Sequence, residues 1–205
     1  MRIYASLLFA ATFLSAQTPP YRIPSDPVRD AWQKPDQVIS ALNFSATEVV
    51  AVIESGYPYF APRIAPRVKQ VYAVNTDPRA FQGRGTLPPG VSPIVGTVSD
   101  PQLSSLAVDT VIMIDVLQQQ LITDRPPYYL GILAGLKPGG RLVIIDRILP
   151  SVYPSSERVT DLDLDDELPS AGFQFAQQFT FLQYQYFLIF KFFNPTSASS
   201  FNKIR

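Results

Sequence analysis

The residues best placed to do chemistry lie in one stretch, Val49–Phe60, with the sequence VVAVIESGYPYF. Val49 to Ile53 reads as a buried strand running into a tight turn around Gly56. In a doubly wound α/β protein, the carboxyl end of such a strand is where a nucleotide-like cofactor sits. Backbone approaches a ligand most closely where no β-carbon intervenes, so these turns favour glycine. This one has a single glycine, a carboxylate at Glu54 and an imino acid at Pro58. Tyr57 and Tyr59 flank Gly56, either as a mouth over the turn or as surface packing.

Composition narrows the remaining chemistry. The chain has no cysteine and no histidine. That removes thiol nucleophiles, Cys/His zinc sites, Ser-His-Asp triads and imidazole bases together. Asp, Glu, Tyr and Lys are left for proton transfer. Asp161, Asp163, Asp165, Asp166 and Glu167 could offer oxygen ligands to a hard cation. Their spacing lacks the loop glycine of a calcium hand, and a solvated helix face is the plainer reading. No metal site is assigned. Seventeen basic residues balance seventeen acidic ones, so no nucleic-acid surface is expected and the partner is a small molecule or a protein.

These side chains need elements to position them. The hydrophobic fraction of 46% is enough for a full core at 205 residues. Strands are predicted at 49–53, 70–74, 93–95, 108–114, 141–145, 173–178 and 183–193. Helices are predicted at 35–43, 126–136 and 157–171, with a short distorted one at 59–67 interrupted by Pro62 and Pro66. Between 79 and 92, glycines and prolines leave no helical period, so that crossover shrinks to a turn or is lost. Trp32 is expected as a packing anchor. Alternating strands and helices with continuous Val/Ile runs give a doubly wound, mostly parallel seven-stranded α/β sheet. The last two strands are too close in sequence for a crossover and must form an antiparallel hairpin.

The N-terminus carries a targeting pattern. Arg2 precedes the apolar run Ile3–Leu14, which is too short to span a bilayer, and Ser15-Ala16 ends it with small residues. Residues 1–16 read as a signal peptide cut after Ala16, or alternatively as an uncleaved anchor. Cleavage leaves an exported protein, periplasmic or secreted, with no membrane span. Residues 17–28 read as an extended Pro-rich lead-in, 29–193 as the folded domain and 194–205 as a loose tail.

Several stretches resemble one family. RDAWQKPDQVISAL (29–42), VYAVNTDP (71–78), KPGGRLVIID (137–146) and FLQYQYFLIF (181–190) are similar to bacterial class I S-adenosylmethionine-dependent methyltransferases, exported ones included. The resemblance covers about residues 29–192 and implies a Rossmann-like sheet of order 3-2-1-4-5-7-6. It implies S-adenosylmethionine as cofactor if the chain is active, and otherwise none. By that resemblance the cofactor would meet Glu54, Gly56, Asn75, Asp77, Asp100 and Asp115. Relatives typically carry VADIGAGTGYF in the first loop. Here Val52 stands for the acidic residue, Glu54 for the first glycine and Pro58 for the third. Asn75 stands where Asp or Glu usually holds the ribose, and Asp77 follows two residues on. Gln118, Gln119 and Gln120 occupy the place of a His-containing pair in some relatives, and amides do not accept a proton as bases. Two functions follow as expectations: a methyltransferase-like pseudoenzyme serving as a binding or scaffold module, or an active methyltransferase with a non-standard loop. No catalytic residue is assigned in either.

Overall fold

Continuous apolar runs become the centre of a seven-stranded sheet. In the computed structural model, which describes residues 20–23, 25–82, 84–118, 124–154 and 158–192, the elements follow in order. They are α1 (Pro27–Gln33), α2 (Pro35–Leu42), β1 (Val49–Glu54), α3 (Ala61–Ile64), β2 (Gln70–Asn75), β3 (Val91–Val95) and β4 (Val108–Ile114). Then come α4 (Arg125–Gly135), β5 (Leu136–Arg147), α5 (Asp161–Ser170), β6 (Phe173–Phe179) and β7 (Gln185–Phe192). The signal-peptide reading, Gln119, Gln120 and the tail lie outside the described residues.

The strand order is β3-β2-β1-β4-β5-β7-β6. Every pair from β3 to β5 is parallel, and β7 runs antiparallel to both β5 and β6. The expected seven-stranded sheet with its antiparallel closing hairpin is therefore present. Side chains alternate across it, as the strand period requires. Val50, Val52, Ile112, Ile114 and Val143 face α2 and α3; Ala51, Ile53, Val111, Met113 and Leu142 face α4 and α5. Burial on both faces explains why β1, β4 and β5 read as unbroken aliphatic runs rather than alternating ones.

Several boundaries differ from the sequence expectation, each for a local reason. A helix, α1, precedes α2: Asp26 accepts a hydrogen bond from the Arg29 amide, Pro27 opens the first turn, and Lys34 at φ +47° separates it from Pro35. The stretch read as an extended lead-in also packs on the domain, where Tyr21 is buried and donates to the Pro58 carbonyl at 2.6 Å. The helix expected at 59–67 contracts to α3 and a 3-10 turn, Ala65–Arg67, as its prolines dictate. Among the described residues, the β2–β3 crossover keeps only the 3-10 turn Pro78–Phe81. β5 begins at Leu136 rather than 141, pairing with Val108 before Lys137–Gly140 bulges out and Arg141 resumes opposite Thr110. α5 starts at Asp161, not 157, because Thr160 caps it reciprocally with Asp163.

Candidate functional site

The carboxyl ends of β1 and β2 meet beside an open cleft of about 510 Å³. Gly56, Tyr57, Asn75, Thr76, Asp77 and Arg84 are among its lining residues. Gly56 sits at φ +70°, and a β-carbon there would meet no atom within 4 Å. That absence of contacts marks it as the open point of the turn. Among the candidates read from sequence, the structure places Gly56, Asn75 and Asp77 on this cleft. Glu54, Asp100 and Asp115 are elsewhere.

Glu54 lies behind the turn. It is buried, and its carboxylate accepts from the amides of Tyr59 (3.0 Å), Phe60 (2.8 Å) and Ala61 (3.1 Å). Those N–H groups, at and before the start of α3, have no carbonyl one turn back to receive them. A side chain from β1 has taken them. Burial pushes the Glu54 carboxyl up to about 7, against the pull of the Phe60 and Ala61 amides and of Arg29 and Arg63.

Asn75 completes the closure from β2. Its amide donates to the carbonyls of Glu54 and Gly56, both at 2.7 Å, and its oxygen accepts from the Asp77 amide at 2.8 Å. Only a residue with two hydrogens on one nitrogen can make this clasp, and a carboxylate has none to give. The amides that lead from the turn into α3 are thus held by Glu54, and the Glu54 and Gly56 carbonyls by Asn75. Asp77 stands on the cleft rim, but Arg79 grips both its oxygens at 3.0 Å, which holds the carboxyl below its usual range. Arg84 stacks on the Tyr57 ring at 3.6 Å.

Tyr59 does not form a mouth over Gly56. It is fully buried, clamped between the Arg29 and Arg63 guanidiniums at 3.9 and 3.8 Å, and its hydroxyl donates to Asp30. Asp100 turns toward α4: it accepts from the amide and side chain of Gln102, and one oxygen lies 3.2 Å from where a β-carbon on Gly131 would stand.

Asp115 organises a second centre, at the end of β4. It is buried at φ +54°, a region Asp tolerates better than most residues. Its oxygens accept from Gln33 at 3.0 Å and Gln185 at 2.8 Å, with Arg29 and Arg147 each 3.8 Å away. Asp146, at the end of β5, accepts from the amides of Leu117 (2.7 Å) and Arg147 (2.8 Å). Burial, then the neighbouring Asp115 charge, raises its carboxyl to about 6. Sequence reasoning missed Gln33, Gln185 and Asp146 as members of one network. Only the strand-end position of Asp146 hinted at it. Gln118 donates to the backbone carbonyls of Arg147 and Val159, so it acts as a loop tether.

The acidic residues of α5 are spent separately. Asp163 closes the capping box and Glu167 pairs with Arg125. Trp32 is half-buried and shares a shallow hollow with Arg147, Ile148, Leu149 and Tyr184.

No model of a known protein family matches the sequence, and no curated protein does. Solved structures do match. A SAM-dependent methyltransferase from Aquifex aeolicus is 16% identical at a TM-score of 0.69, over 82% of this chain and 94% of that one. A TehB-like SAM-dependent methyltransferase from Corynebacterium glutamicum is 17% identical at 0.57, over 76% and 85%. The magnesium protoporphyrin IX methyltransferase of Synechocystis, solved with bound SAM, is 17% identical at 0.54, over 78% and 79%. At such identities the likeness fixes the fold: a Rossmann-like methyltransferase sheet.

Proposed function

We propose that this chain is a methyltransferase-like protein whose cofactor loop is closed by its own side chains, and that it serves as a non-catalytic binding or scaffold module. The observation that carries the reading is the paired clasp on the β1 turn. Glu54 takes three amides, and Asn75 takes the Glu54 and Gly56 carbonyls. For an adenosyl ligand to bind through the amides of Tyr59, Phe60 and Ala61 or through Asn75, a buried carboxylate must lose three hydrogen bonds or the amide must release two. Hydrogen bonds to a charged group contribute about 1.5–3 kcal/mol each, so this cost is set against every contact the ligand makes.

The open cleft beside Gly56 favours a second reading, an active methyltransferase that uses S-adenosylmethionine through a non-standard loop. A thermal-shift titration with S-adenosylmethionine and S-adenosylhomocysteine separates the two. Micromolar affinity at millimolar ligand stabilises the fold by about 4 kcal/mol. The pseudoenzyme reading expects no shift, and a saturable one of that size replaces it with the enzyme.

We further propose export, supported by the Arg2–Ala16 pattern. Fractionating a bacterial host that expresses the full chain, with N-terminal sequencing, should find the exported form starting at Gln17. Recovery only in the cytoplasm would refute it.

A further inference from the structure

A separate hollow of about 320 Å³ lies on the far side of β4 from the Gly56 cleft, where β5 leaves the sheet and β7 enters it. Ile148, Leu149, Phe179 and Leu182 give it apolar walls. Two of its other lining residues, Arg158 and Tyr186, hold the buried side-chain polar atoms that lack a hydrogen-bond partner among the described residues. These are Arg158 Nε and Tyr186 Oη. Buried polar groups are almost always satisfied, so an orphan calls for a missing partner. Both orphans belong to residues that line one cavity.

The neighbouring polar groups are engaged elsewhere. Thr160 exchanges hydrogen bonds with Asp163, and Gln185 with Asp115 and Gln33. Gln118 lies near Tyr186, but both its amide hydrogens go to the carbonyls of Arg147 and Val159, its oxygen accepts from the Val159 amide, and by distance and angle the hydroxyl has no partner among the described residues. Arg158 makes no ion pair among the described residues. The unmet groups are an N–H that only donates and an O–H able to donate. An acceptor with two oxygens answers both, and the walls favour an apolar body behind it.

We propose that this hollow binds a small amphiphilic carboxylate, its head between Arg158 and Tyr186 and its apolar body against Ile148, Leu149, Phe179 and Leu182. Tyr186 is 5% exposed, and both orphan atoms are shut off from bulk water. An incoming head must therefore part the wall. Arg158, a long side chain on irregular backbone, is the part that can move. This inference rests on the one hollow and stands whether or not the Gly56 cleft takes a cofactor.

Calorimetric titration of the full chain with octanoate, and with 1-octanol as the uncharged control, tests it. Octanoate should bind saturably and at least about tenfold tighter than octanol. Arg158→Gln and Tyr186→Phe should each weaken it about tenfold or more, as loss of a hydrogen bond to a charged group implies. Without ligand, Tyr186→Phe should melt at or above the wild-type temperature, because it deletes an unpaired hydroxyl. Octanoate binding no better than octanol, variants that bind it like wild type, or a Tyr186→Phe protein that melts lower would each overturn the proposal. The last result would mean that the hydroxyl already has a partner, such as a resident water.

Discussion

Glu54 is the residue on which the account of the loop turns, and its ionisation is testable by itself. Its carboxyl rises from an ordinary value near 4.5 to about 7 on folding, so between those values the folded chain holds more protons than the unfolded one. Stability from this group is complete below the lower value and is lost as pH rises through the upper one, by about 3 kcal/mol in all. Glu54→Gln should remove that slope in urea unfolding measured from pH 4 to 8. The remaining slope should come from Asp146, whose window runs from 3.8 to about 6. Asn75 makes the complementary case. Asn75→Asp keeps the size and loses both donors to the Glu54 and Gly56 carbonyls, setting a carboxylate against them. We expect a loss of about 2–3 kcal/mol in the same assay, even though Asp is the residue expected there by resemblance. An unchanged midpoint would mean that the clasp contributes nothing.

Among the elements, α4 shows how closely the covering layer sits on its neighbours. A β-carbon on Gly135 would stand 2.4 Å from the Leu103 carbonyl oxygen and 2.7 Å from the Leu103 carbonyl carbon, backbone atoms that cannot turn aside. Gly135→Ala should therefore cost about 1–3 kcal/mol or more, despite the better helix propensity of alanine, and a thermal melt will show the sign. The strands were legible in the sequence because burial on both faces leaves runs such as VDTVIMI and RLVII that no other environment favours. The helices α1 and α5 were less so: their limits depend on caps at Asp26 and Thr160, single side chains whose hydrogen bonds form only once the turn exists. Lys137–Arg141, within the most recognisable run, proves to lie at the amino edge of the sheet, opposite the cleft. There Lys137 pairs with Asp109 and Arg141 with Glu48 and Thr110. It identifies the fold and touches none of the chemistry.

At the scale of the molecule, the Rossmann-like sheet carries hollows at its carboxyl edge, among them one beside Gly56 and one beside Tyr186, with the Asp115 network between them. Gly56, Asn75 and Asp77, named by resemblance, line one cleft because strand ends in a parallel sheet converge. The sequence could not show that Glu54 turns back to the amides of Tyr59–Ala61, nor that Asn75 points its hydrogens at β1 from 19 and 21 residues away. Both depend on the path of the turn. Asp115 is likewise tied to partners 70 and 82 residues distant, which no local pattern reveals. The most direct test is the amide spectrum of the ¹⁵N-labelled protein titrated with S-adenosylhomocysteine. The signals of Gly56, Tyr59, Phe60 and Ala61 should stay in place to millimolar ligand while moving with pH as Glu54 titrates near 7. Saturable movement of those signals at micromolar ligand would contradict the pseudoenzyme reading.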